Sequence, residues 1–181
     1  MSLWLGGGIR LAAQFVQKDE YDAKGQCLYV FATLTSRVAD GAASTNSPFV
    51  LGILGSDPWN GGFPGALPKL KNVKSIKGRP VITKVFATAD DVDKCDLLFI
   101  RSNEKKVLSR VLEVIKGGSI LTVAESKDFA QMGGIVNLYV EERKDVGNAK
   151  FELNTDAAIK AGLKLELEFL DAAARTFPKR K

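Results

Sequence analysis

The sequence predicts a three-layer α/β domain: a largely parallel, Rossmann-like sheet with an antiparallel hairpin at one edge and helices on both faces. Three observations predict it. Two nearly continuous apolar runs of strand length, residues 49–54 and 95–100, ask for strands covered on both faces. Segments with helical spacing of apolar residues alternate with them, as right-handed crossovers between parallel strands require. The closing stretch, residues 118–154, supplies a strand, a turn with the pair Gly133-Gly134, and two further strands.

Taken in order, residues 19–37 read as the first helix. Ala23, Cys27, Phe31, Leu34 and Val38 recur at three-to-four spacing and form its buried stripe. Gly25 weakens this helix by roughly 1 kcal/mol relative to alanine, which suggests close packing or a kink. Residues 39–48 are small, polar and without period, a surface connection. The strand at 49–54 ends in Gly55-Ser56-Asp57-Pro58, and the glycines and prolines after Asn60 leave any following helix short or irregular. Gly78-Arg79-Pro80 turns into a more exposed strand at 81–86, with Thr83 and Lys84 alternating against apolar neighbours. After the 95–100 strand, Arg101-Ser102-Asn103 bends into the cleanest helix of the chain. Its Val107, Leu108, Val111, Leu112 and Ile115 face one way, and Gly117-Gly118 closes it. Residues 135–141 and 149–154 form the edge hairpin, and Asn154 caps the helix that starts at Thr155. Gly162 interrupts that helix, and Leu163 to Phe177 continue as a second packed segment.

Length suits one domain. Residues 1–18 read as a disordered leader, the remnant of a secretion signal or of expression; residues 19–177 form the domain, and 178–181 a basic tail. No run of eighteen apolar residues is present, so no helical membrane span is expected. No histidine occurs. Its absence removes the commonest general base and the commonest metal ligand together, which argues against hydrolase, dehydratase and zinc chemistry. The net charge of +5 is uneven. Lys69, Lys71, Lys74, Lys77, Arg79 and Lys84 fall in a stretch without a single acidic residue. This stretch could meet an anionic surface, although a solvated lysine-rich edge is the simpler explanation. It lacks interleaved aromatics, so a nucleic-acid partner is disfavoured.

In a parallel sheet the strand exits converge on one edge, where a ligand cleft belongs. The candidates there are Ser56, Asp57, Arg101, Ser102, Glu125, Ser126 and Asp128. A phosphate loop is missing, and no serine lies at a defensible spacing from a lysine base. Asp57, Glu125 and Asp128 are hard oxygen ligands with nothing to fix their separation, so no metal and no cofactor is expected. Cys27 and Cys95 match no metal motif; they are either a bridge or two buried thiols.

Four stretches carry a resemblance. They are Gly78-Arg79-Pro80-Val81; Cys95-Asp96-Leu97-Leu98-Phe99-Ile100; the run from Ile120-Leu121-Thr122-Val123 through Ser126, Phe129-Ala130 and Gly133-Gly134-Ile135 to Asn137; and Phe151-Glu152-Leu153-Asn154 with Ala157-Ala158 and Ala161-Gly162-Leu163. In order and spacing these resemble the YfiR-like family, small exported α/β proteins whose best-understood members restrain a membrane-bound diguanylate cyclase from the periplasm. The match spans about residues 20–175. Where the family's first helix ends in an aromatic stretch, this chain has Thr35-Ser36-Arg37-Val38-Ala39; where the family has a serine pair before the last leucines, it has Leu165-Glu166-Leu167-Glu168. Both departures alter the surface a partner would meet. The resemblance also implies a bridge at Cys95, for which Cys27 is the one partner in this sequence.

The expectation is therefore a non-enzymatic periplasmic regulatory or sensory protein. It presents a surface to a membrane-anchored signalling protein, and a homodimer through helices is in keeping with the family. The hairpin edge, Trp59, Lys71, Lys74 and Lys77 are the expected contacts. The alternative is a small-ligand-binding or catalytic α/β domain using the strand-exit cleft.

Overall fold

The computed structural model describes residues 14–16, 20–38, 47–59, 75–143 and 146–178. Lys71 and Lys74, and the segment expected to hold an irregular helix after Asn60, lie outside the described residues. The described elements begin with β1 (Gln14–Val16), α1 (Glu20–Thr33), β2 (Thr35–Arg37), β3 (Phe49–Leu54), β4 (Ser75–Ile76) and β5 (Arg79–Phe86). A single 3-10 turn precedes β6 (Leu97–Ile100), α2 (Lys105–Val114), β7 (Leu121–Ala124), β8 (Val136–Arg143) and β9 (Val146–Asn154). The chain then forms α3 (Thr155–Lys160), β10 (Leu163–Leu165), α4 (Leu167–Ala172) and β11 (Arg175–Phe177).

Nine strands form one mixed sheet in the order β1-β9-β8-β7-β6-β3-β5-β4, with β11 also on β9. Its centre, from β5 through β3, β6 and β7 to β8, is parallel. The hairpin β8–β9, the β1–β9 pair and the β4–β5 pair are antiparallel. The sheet is curled into a half-barrel and is not the flat Rossmann sheet expected. The hairpin forms as expected but is not an open edge. β1 and β11 both pair with β9, so the strand expected to meet a partner already has neighbours. Gln14–Val16, part of the expected leader, supplies one of them.

Period-two alternation sorts the central strands onto two cores. Phe49, Leu51 and Ile53 of β3, Leu97 and Phe99 of β6, and Leu121 and Val123 of β7 meet α1 on one face, with Phe31, Phe151 and Phe169 in mutual ring contact. Leu54, Leu98, Ile100 and Ala124 face α2, whose Leu108 and Val111 are fully buried. Cys27 belongs to the first core and Cys95 to the second. The sheet separates them, and both are free thiols, so the implied bridge is corrected.

Two helix ends follow the sequence closely. Gly117 adopts φ +83° beyond α2, and Asn154 Oδ1 accepts a hydrogen bond from Ala157 N at 2.9 Å at the start of α3. The end of α1 does not. Thr35–Arg37, expected to be helical, pairs antiparallel with Leu163–Leu165 in a separate two-stranded sheet. Val38, assigned to the buried stripe, is 72% exposed. At the amino ends of the strands, Asp96 accepts from Val50 N (2.8 Å), from both terminal nitrogens of Arg79 (2.8 and 3.0 Å), and pairs with Arg37 (3.0 Å). One carboxylate thus ties β3, β5, β6 and β2 together.

Candidate functional site

Among the parallel strands, the chain runs from β3 outward to β5, then returns to lay β6 on the other side of β3. The carboxyl ends of β3 and β6 therefore flank a topological switch point, where open α/β sheets bind ligands. The ladder continues past the strands: Arg101 N donates to Leu54 O at 3.0 Å and Glu125 N to Ile100 O at 3.3 Å. These bonds place the exits of β3, β6 and β7 side by side.

Three of the expected residues meet there. Arg101 Nη1 donates to the Ser56 carbonyl (2.6 Å) and to Ser56 Oγ (2.7 Å), and Arg101 Nε lies 3.6 Å from Glu125 Oε2. That last distance is an ion pair beyond hydrogen-bond length, and Nε is buried without a hydrogen-bond partner. The first turns of α1 complete the cluster with residues the sequence reading missed. Lys24, 5% exposed, donates to Glu125 Oε1 and pairs with Glu20. Tyr21 accepts a hydrogen bond from Arg101 Nη2 at 2.7 Å. Its ring centroid is 4.6 Å from the guanidinium and 4.8 Å from the Lys24 ammonium. A signal existed in Glu20 and Lys24, spaced four apart as a helical ion pair. Nothing in that spacing announces that the lysine is buried.

The electrostatics are closed. Two cations, Lys24 and Arg101, meet two carboxylates, Glu20 and Glu125. Burial pulls the Lys24 ammonium downward, but the hydrogen bonds and charges of Glu125 and Glu20 outweigh it and leave its pKa above the ordinary lysine value. A lysine so held is a permanent cation and no base. Ser56 Oγ is engaged by Arg101 and touches no proton acceptor among the described residues that could activate it.

The remaining expected residues disperse. Asp57 Oδ1 accepts from Trp59 N at 2.8 Å. Ser102 Oγ accepts from Glu104 N at 3.2 Å, ahead of α2. Ser126 is buried and Asp128 exposed, and no metal-binding cluster forms among the described residues. Trp59, expected on the partner surface, is half-buried: it donates Nε1 to Tyr21 O (3.0 Å) and packs on Phe99 with centroids 5.6 Å apart. Lys77 is exposed in the two-residue turn between β4 and β5, where it and Gly78 both have positive φ (51° and 77°), the geometry of a type I′ turn. Its ammonium donates to the Thr35 carbonyl, and burial lowers its pKa against a smaller opposing effect of Glu166. On the α2 side of the switch point, a cavity of about 350 Å³ is lined by Thr88, Arg101, Ser102, Lys106 and Arg110 among others.

Comparison with solved structures finds a crystal structure of a conserved domain protein from Vibrio cholerae O1 biovar El Tor. The two share 12% identity with a TM-score of 0.53, over 84% of this chain and 59% of that one. At that identity the likeness is one of fold. The chain thus spans less than two thirds of that one. Comparison with curated proteins gives no match. Residues 21–174, which hold both cores and all of the charged cluster except Glu20, match the YfiR/HmsC-like family model. The chain therefore belongs to the YfiR/HmsC-like family, a family not known to be catalytic.

Proposed function

We propose that this protein is a periplasmic regulator that restrains a membrane-bound signalling enzyme, of which a diguanylate cyclase is the leading example, by binding its periplasmic domain. Family membership is consistent with a non-enzymatic periplasmic role. One observation carries the reading: the place where a doubly wound sheet would hold substrate is occupied by an internally neutralised cluster of Glu20, Lys24, Arg101 and Glu125. Such a cluster fixes α1 against the exits of β6 and β7 and gives the protein a rigid body to present. Regulation then works through differential affinity for two states of the partner. Ile159 on α3 and Leu167 on α4 are exposed apolar residues, 71% and 61% accessible, which support a contact through helices, with a second copy or with the partner. Capture of the cyclase from native membranes by the immobilised protein tests the reading, and its loss with Ile159→Glu and Leu167→Glu would locate the contact. Failure to retain any cyclase in the presence of the wild type would refute it.

A second reading has its own observation. The cavity of about 350 Å³ is lined by Lys106 beside Arg101 and Arg110, which already pair with Glu125 and with Asp90 and Glu113, so a small anion there would answer chiefly to Lys106. Such a ligand would act as the sensed signal. Thermal shift with small dicarboxylates and phosphates checks this, and a flat response at millimolar concentration would count against it.

A further inference from the structure

A second groove, larger and chemically different, lies away from the strand-exit cluster. It has a volume of about 700 Å³, inside the roughly 300–1,000 Å³ range of small-molecule sites. Its walls come from the end of α2, the face of β7, the turn before β8, α3, and the end of β11. Leu112, Ile115, Ile120, Ile135, Ala157 and Phe177 make most of them apolar.

The polar groups in its floor are already satisfied. Thr122 Oγ1 accepts from Ile135 N at 3.0 Å. Asn154 donates to Ala130 O at 2.7 Å and accepts from Ala157 N at 2.9 Å. Both polar side chains of the floor are thus already engaged with the backbone, which suits a hydrocarbon chain as occupant. The rim differs. Lys116 and Lys160 both line the groove, are exposed, and make no ion pair among the described residues. The acidic lining residue, Asp156, sits in the first turn of α3, where the helix dipole already favours it. Pro178 also lines the groove, and Lys179, Arg180 and Lys181 follow it in the sequence.

We propose that this groove binds a single-chain amphipathic anion of the fatty-acid type, its alkyl chain on the α2–β7–α3 walls and its carboxylate against Lys116 and Lys160. The proposal does not depend on the regulatory reading. The occupant is set by charge complementarity: an apolar channel with two cations at its mouth that make no ion pair among the described residues selects an alkyl chain with a negative head over a neutral or cationic one. It would give the protein a means of sensing free acyl anions released from a membrane.

The test is calorimetric titration with octanoate, decanoate and dodecanoate, each below its micellar concentration. The dissociation constant should fall about fourfold for each added methylene, the factor that corresponds to about 0.8 kcal/mol per buried group. Dodecyltrimethylammonium should bind at least about tenfold more weakly than dodecanoate. The double variant K116E/K160E changes two exposed side chains and should keep its fold while losing about tenfold in dodecanoate affinity. Ala157→Phe, checked for folding by circular dichroism, should block binding. Dodecyl phosphate separates head groups: affinity equal to or above that of dodecanoate means that charge, and not the carboxylate itself, is read, in keeping with the site. No saturable binding, affinity independent of chain length, or affinity unchanged in K116E/K160E would each overturn the proposal.

Discussion

Replacing Glu125 with glutamine removes one charge from the strand-exit cluster and keeps its shape. Lys24, whose side chain is 6% exposed, is then left with Glu20 alone, itself 32% exposed. Removing one partner of a buried pair costs about 3–5 kcal/mol; the surviving Glu20 places this case near 3 kcal/mol. For a domain of this size that is a fall of about 6–12 °C in melting temperature. The mirror change behaves differently. Lys24→Met removes the buried ammonium and keeps an apolar stem in its place, while Glu125 retains Arg101 at 3.6 Å, so a loss of about 1 kcal/mol is expected. Glu20→Gln, at the most solvated member, should cost about 0.5 kcal/mol. Urea unfolding of the three variants, followed by circular dichroism, reads the order directly. Equally mild losses for Glu125→Gln and Glu20→Gln would refute this, because the cluster would then be solvated and would not fix α1.

Other outcomes follow from the same structure. The thiols of Cys27 and Cys95 are pushed up to about 12 by burial, with Asp96 adding to the effect at Cys95, so both stay neutral and native protein should react slowly with a thiol reagent. Unfolded, unreduced protein should titrate two thiols, and none would restore the bridge. These raised thiol values and the raised Lys24 value stabilise the fold fully below the unfolded values of 9.0 and 10.5. The contribution is lost as pH rises through the folded values, so the urea midpoint should fall above about pH 9, and a midpoint that rises there would contradict the burial of these groups. Asp96→Asn should cost about 3 kcal/mol, measured by the same melts, because Arg79 and Arg37 lose their shared carboxylate. Gly134→Ala would put a Cβ 2.1 Å from the Phe129 ring, so a loss of about 2–3 kcal/mol or failure to fold is expected.

The parts of the fold that the sequence disclosed are those where burial is two-sided or a cap is local. Leu97–Ile100 is fully buried along its length, and a strand covered on both faces has to be written as an unbroken apolar run. Asn154 announces a helix start because its cap bond joins residues three apart. Thr35–Arg37 was hidden because it is three residues long and follows a helical period without a break; its strand partner, Leu163–Leu165, lies in a distant part of the sequence. The same holds for Gln14–Val16 and Arg175–Phe177 on β9, whose pairing is set by the sheet and not by their own pattern. The curl of the sheet is likewise a property of all its strands together.

Within the site, Ser56, Arg101 and Glu125 were legible because strand exits converge once the parallel order is known. Asp57 and Ser102, at the same exits, turn instead to nearby backbone N–H groups, as short polar side chains in turns do. Lys24 and Tyr21 were not legible. Both sit on a helix whose face toward the sheet carries polar residues among apolar ones, and only the tertiary position of Glu125, 101 residues away, makes Lys24 a partner and not a solvated side chain. The groove between α2 and α3 was equally silent, since its walls are mostly half-buried apolar residues from elements far apart in the sequence.

Synthesis of cyclic di-GMP measures the proposed restraint of a membrane enzyme directly. Membranes carrying the native cyclase, incubated with guanosine triphosphate, should make less product as purified protein is added, with the effect saturating at a defined ratio of regulator to cyclase. A rate that stays constant at every concentration of added protein would contradict the account.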